Sequence, residues 1–278
     1  LTFLEGKMSV TILLGEILFK AFKFSIFKMI CLEYPTISFC ENIHHHGFYL
    51  NFIAEFWNAI SSFFFCFVSF YHLKNNKFHQ LTPILTMAFY VGLGSFLFHA
   101  IPQRFFQFTD EIPMVLLITQ AIYLINDELH LKHFNYTDNL YKFIVLLIDL
   151  LRLSVILSNI YEVYFYLFEI LYITMIFIYV GMMYFLSWNH KKEISFTVSV
   201  GLFGYGFWLI DQHLCLKFFS WISLHSFWHF AMGCVIFNFV QFVKIYKIEN
   251  SGRRIIINRK GPLFFYQEDN YEEFDEEL

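Results

Sequence analysis

Five side chains able to act together chemically stand at the ends of apolar runs: Ser95, His99, Asp110, His225 and His229. Ser95 and His99 are four apart, as are His225 and His229, so each pair projects from one face of a helix. Two imidazoles one turn apart can reach a single ion, and His99 from another helix would complete a three-nitrogen set. Zinc favours neutral imidazoles in tetrahedral array, and its catalytic sites keep three protein ligands and an open position. Asp110 follows a turn marked by Pro102. A carboxylate there could take the proton of a polarised water and pass it to a leaving group. Ser95 could donate to the oxyanion that forms as water attacks a carbonyl. The pattern predicts a zinc-dependent hydrolytic centre.

Each residue also has a plainer reading. A single histidine can be a polar residue hydrogen-bonded at a helix end. Asp110 can cap a helix that carries Pro113 in its first turn, and Ser95 can pack against a neighbouring helix. Three imidazoles at one level of an apolar bundle are a different matter, because ionisable groups inside a membrane are costly and usually functional.

The elements that must position these groups are membrane helices. Of 278 residues, 58% are hydrophobic and only 15% charged, with 40 phenylalanines; soluble domains carry about 25% charged residues. Seven apolar runs cover roughly 51–71, 82–101, 110–126, 142–158, 162–187, 195–213 and 221–243. Each is long enough to cross a hydrocarbon core of about 30 Å. In lipid every backbone group must bond within its own segment, so the runs predict helices. The expected fold is an all-α membrane protein, a seven-transmembrane helix bundle with an intramembrane zinc site. The expected organisation is an N-terminal signal-like or interfacial segment (1–37), the bundle (38–248) and a disordered acidic tail (249–278).

Charge sets the orientation. Seven acids fall in the last eighteen residues, so the net charge of −4 hides a slightly basic body. No basic stripe interleaved with stacking aromatics points to nucleic acid. Lys74, Lys132, Lys191, Lys192, Lys247, Arg253 and Arg254 fall on one side of the predicted bundle, against Arg104 and Lys217 on the other. The positive-inside rule therefore predicts a cytosolic C-terminus and places Glu55, His99, Asp110, Asp211, His225 and His229 near luminal helix ends. The lysines of the N-terminal segment pull the other way.

A second cluster precedes the first run, with Glu41, the triplet His44, His45 and His46, and then Glu55. Glu41 and Glu55 could offer oxygens to a hard cation such as calcium. Consecutive histidines point in different directions, so the triplet reads as a solvated loop. The five cysteines show no CxxC spacing, which excludes a cysteine zinc knuckle.

Taken in order, these blocks resemble the alkaline ceramidases, seven-helix zinc amidases of the endoplasmic reticulum and Golgi in the CREST superfamily. The resemblance runs through Cys40-Glu41-Asn42, Ile53 to Asn58, Gly92 through Gly94 and Ser95 to His99, Asp110 to Met114, Asp211 to Cys215, and His225 with His229. It covers about residues 38 to 245. It implies hydrolysis of the ceramide amide bond, zinc on His99, His225 and His229, Asp110 as proton shuttle and Ser95 at the oxyanion. It also implies a Cys40–Cys215 disulfide and a calcium site using Glu41, Asn42 and Glu55. That last motif departs from the family, with Ser38-Phe39 where Asp-Trp is usual and a longer spacing to Glu55. Two alternatives share the serine, aspartate and three-histidine layout: a receptor of the adiponectin-receptor type, and a GPI-anchor lipid-remodelling hydrolase.

Overall fold

The computed structural model describes residues 35, 37, 39–41, 53–74, 78–132, 138–160, 165–186, 188–215 and 223–268. Nearly all of the 1–37 segment, Cys31, Asn42 and the histidine triplet lie outside the described residues.

Among the described residues seven long helices follow one another: α1 (Phe56–Lys74), α2 (Thr82–Ala100), α3 (Arg104–Lys132), α4 (Asp138–Ile160), α5 (Phe165–Leu186), α6 (Lys191–His213) and α7 (Leu224–Asn250). The protein is an all-α membrane protein, as its composition predicts. Among the described residues five stretches are long and apolar enough to cross a bilayer, corresponding to α1, α2, α3, α6 and α7. The outward faces are those of a protein solvated by lipid, with Phe70, Phe177 and Phe203 among the exposed aromatics. On α4, Asp149 pairs with Arg152 at 2.5 Å and accepts a hydrogen bond from the Tyr123 hydroxyl at 2.6 Å. These charges lower the hydropathy of α4.

The third helix is longer than its apolar run of 110–126 suggests. Gln107 and Glu111 in its first turns are buried and bonded to one another, Nε2 to Oε1 at 2.7 Å. Hydropathy leaves Gln107 outside the run, whereas its bond to Glu111 satisfies both buried side chains within the helix, which continues through Pro113.

Helix α7 is the axis of the assembly. It packs on both α1 and α6, and from Ile236 to Tyr246 it is buried on every side. Part of that cover comes from a β-hairpin, β1 (Ile255–Lys260) and β2 (Leu263–Glu268), paired antiparallel with Lys260 opposite Leu263. Its two-residue turn places Gly261 at φ +61°, a conformation glycine adopts freely, followed by Pro262. The Asn238 amide of α7 donates to the Pro262 carbonyl at 2.9 Å, and its oxygen accepts the Phe264 N–H at 3.0 Å. Phe264 is buried among Phe196, Phe242 and their neighbours.

The expectation of a disordered tail from residue 249 therefore fails for residues 255–268. Burial of Phe264, with Ile257, Leu263 and Phe265 packed partly against the bundle, offsets the cost of ordering the chain there. The acid-rich stretch beyond Glu268 lies outside the described residues.

Candidate metal centre

The helices alternate in direction so that Glu55, His99, Asp110, Asp211, His225 and His229 all lie at one end of the bundle. Glu55 directly precedes α1, His99 is in the last turn of α2, and Asp110 is in the second turn of α3. Asp211 lies near the end of α6, while His225 and His229 open α7.

Backbone bonds fix this end first. The N–H groups of Ala54 and Glu55 donate to the carbonyls of Ala100 and His99 at 3.1 and 3.0 Å, clamping the start of α1 to the end of α2. Gly94 lets α3 approach α2. A Cβ there would collide with the Thr109 carbonyl and stand 2.9 Å from the Asp110 nitrogen. The close crossing brings Asp110 into hydrogen-bonding contact with Ser95. Cys40 and Cys215 form a disulfide, and the Cys40 N–H donates to Asp211 Oδ2 at 3.1 Å. Asp211 also faces the N–H groups of Leu224 and His225, where a carboxylate favours the start of a helix.

Within this frame the three imidazoles converge. His99, His225 and His229 are all buried, and one ligand atom from each lies within 4.8 Å of the others. Ring centroids of His99 stand 5.0 Å from His225 and 5.1 Å from His229, and the His225–His229 pair is at 4.4 Å. Phe39 covers the group from one side, 3.8 Å from the His225 ring, and Phe65 lies 5.8 Å from His229 on another.

These residues fit a metal ion. Buried ring nitrogens without a hydrogen-bond partner are rare, yet His99 Nε2 and His225 Nδ1 are both in that state. His229 Nε2 faces Ser95 Oγ at 3.3 Å. Three neutral imidazoles from two helices, with lone pairs turned toward a common point, suit a first-row transition ion. Ser95 and Asp110 stand beside them.

The carboxylates expected to bind calcium are arranged otherwise. Glu41 accepts the N–H groups of Trp57 and Asn58 at 2.8 and 3.1 Å, so it caps α1. Glu55 Oε2 stands 2.5 Å from His99 Nδ1 and accepts from Asn58 Nδ2 at 3.0 Å. Burial pushes Glu41 up to about 7 and Glu55 up to about 8. Calcium takes six to eight oxygens, and the described residues do not gather that many here. Glu55 instead has the place of a carboxylate that orients a metal-binding imidazole.

The three-histidine set, Ser95 and Asp110 were identified from spacing, and the structure brings them together. Spacing gave no sign of Ser61, whose Oγ is 2.8 Å from His229 Nδ1. Nor did it show that Glu55 touches His99 across a separation of 44 residues.

A family model for ceramidases matches residues 33–260, well over half of the chain. The chain belongs to the ceramidase family. No individual curated protein matches it. The matched span takes in every residue of the centre, the disulfide and the first hairpin strand. As a family member the protein is a hydrolase of lipid metabolism whose substrate is ceramide.

Proposed function

We propose that this ceramidase cleaves the amide of ceramide with a zinc-activated water, giving a sphingoid base and a free fatty acid. The observation carrying this reading is the convergence of three buried imidazoles with Ser95 and Asp110 at one end of the bundle.

His99, His225 and His229 would hold the ion. Zinc bound there supplies a Lewis acid and lowers the pKa of water toward about 7. Asp110 accepts the proton of the attacking water as the new C–O bond forms, and delivers it to the amine nitrogen as the C–N bond breaks. Ser95 donates to the carbonyl oxygen as that atom gains charge. The substrate reaches the centre from the bilayer, its chains lying along the aromatic helix faces.

The protein resides in the endoplasmic reticulum or Golgi with its C-terminus in the cytosol. Two features support this orientation. The disulfide stands at the metal end, suited to an oxidising lumen, and Lys74, Lys191, Lys192 and Lys247 stand at the other.

The test is mass spectrometry of products from purified protein in lipid nanodiscs given ceramide or a GPI-lipid ester, with and without a strong zinc chelator. Sphingoid base released from ceramide, lost on chelation and in His229→Ala protein that inserts normally, is the expected result. Full release by metal-stripped His229→Ala protein overturns the mechanism. Cleavage of the ester alone assigns the centre to lipid remodelling.

A further inference from the structure

A single buried asparagine on α1 bears on all three imidazoles without touching any of them through its side chain. Asn58 is fully buried, and its contacts run in four directions. Its Nδ2 donates to Glu55 Oε2 at 3.0 Å, the same oxygen that meets His99 Nδ1 at 2.5 Å. Its Oδ1 accepts a hydrogen bond from the Ser223 hydroxyl. Its backbone N–H donates to Glu41. Its carbonyl accepts the hydroxyls of Ser61 and Ser62 at 3.0 and 2.8 Å.

Each contact has a consequence for a ligand nitrogen. With Glu55 ionised, its Oε2 takes the hydrogen of His99 Nδ1, which leaves the unpartnered Nε2 as the lone-pair nitrogen, and Asn58 together with the Phe39 N–H holds Glu55 in place. Ser61 commits its hydrogen to the Asn58 carbonyl, so its oxygen accepts from His229 Nδ1–H at 2.8 Å. That fixes the tautomer in which His229 Nε2 is free to bind an ion.

The third consequence runs through the backbone. Ser223 immediately precedes α7 and has φ 42° and ψ 77°, the one non-glycine residue with positive φ among those described. A left-handed serine is strained and persists only where its surroundings hold it. The Ser223 hydroxyl donates to the Asn58 oxygen and also lies in hydrogen-bonding contact with Glu41. Two residues later comes His225, and one turn beyond it His229, so the angle at which α7 starts sets where both imidazoles point.

We infer that Asn58 is the positioning residue of the metal centre: its side chain fixes the Glu55–His99 contact and the left-handed start of α7 together, while its backbone carbonyl, which any residue at this position would keep, helps set the His229 tautomer. This inference rests on the metal-binding reading of the three histidines but not on the identity of the substrate.

The experiment measures zinc affinity by chelator competition, and the visible spectrum of the cobalt(II)-loaded form, for full-length protein in nanodiscs. Outer partners of metal ligands contribute about 10–100-fold to metal affinity. A loss of that size, with a changed cobalt spectrum, is expected for Asn58→Ala. Asn238→Ala is the matched control, since it removes an equally buried asparagine that anchors the hairpin instead. It should leave affinity and spectrum unaltered. Should Asn58→Ala fail to fold, Ser223→Gly carries the test. Glycine relieves the left-handed backbone, so a merely structural role predicts unchanged zinc binding and equal or higher thermal stability. The positioning role predicts weaker zinc binding at undiminished stability. Wild-type affinity in both Asn58→Ala and Ser223→Gly overturns the inference. Zinc binding by the wild type without ceramide cleavage would overturn the proposed function and leave the inference standing.

Discussion

The two ends of α7 are built by opposite means. At the metal end, Ser223, His225 and His229 meet polar groups from α1, α2 and α6, and a disulfide closes the group. At the other end, Phe239, Phe242 and Tyr246 meet apolar side chains, and a hairpin held by Asn238 covers the remaining face. The first arrangement spends stability to aim nitrogen lone pairs, since each buried polar group must be matched. The second gains stability by burial and asks little of geometry. One helix thus carries both the chemistry and the foundation that keeps it still.

Substitutions at the two ends should therefore separate activity from stability. Among substitutions that leave the three histidines in place, the largest effect on turnover is expected for Asp110→Asn, which keeps the shape but removes the proton acceptor. Ceramide hydrolysis should fall by about 10²–10⁴-fold, while zinc content, read by atomic absorption, stays at the wild-type level. Ser95→Ala should lower kcat by about 10²–10³-fold in a steady-state assay, again with metal retained.

At the far end the readout reverses. Phe264→Ala removes a fully buried ring of the hairpin and should cost about 3–5 kcal/mol of stability. It should appear as a lowered thermal midpoint in detergent, with the surviving folded fraction turning over ceramide normally. If activity per folded molecule instead falls as far as in Asp110→Asn, the hairpin belongs to the catalytic machinery and the two-ended division is wrong. The smallest effect is expected for Glu41→Ala, which strips two N–H groups at the start of α1 of their acceptor. A cap of this kind contributes about 0.5–2 kcal/mol, to be read from the same thermal midpoint. Calcium titration of that variant and the wild type tells cap from cation ligand, because a cap predicts no calcium-dependent difference between them.

Much of the metal centre was legible because it repeats along the chain at helical spacing. His225 and His229, like Ser95 and His99, declare a shared face wherever a helix forms, and the apolar runs require helices. Asp110 was legible for its place at the mouth of a run. The residues that orient the ligands were not. Asn58 and Glu55 stood in a recognised block, but nothing local distinguishes a metal oxygen donor from a carboxylate that holds an imidazole. Ser61 left no trace, since a serine in a membrane helix packs or bonds to its own backbone far more often than it serves a neighbour. The hairpin was hidden by its charges: Arg253, Arg254, Arg259 and Lys260 flank the short apolar run Ile255 to Ile257 and lower its hydropathy.

The sequence by itself determined the solvent, that the apolar runs are helices, and which histidines share a helix face, because hydropathy and the 3.6-residue turn are properties of neighbouring residues. Only the tertiary structure decided which tautomer each imidazole holds, how α7 begins and what covers its far end. Those depend on hydrogen bonds and close packing between residues as much as 172 positions apart, where no local periodicity records the partner.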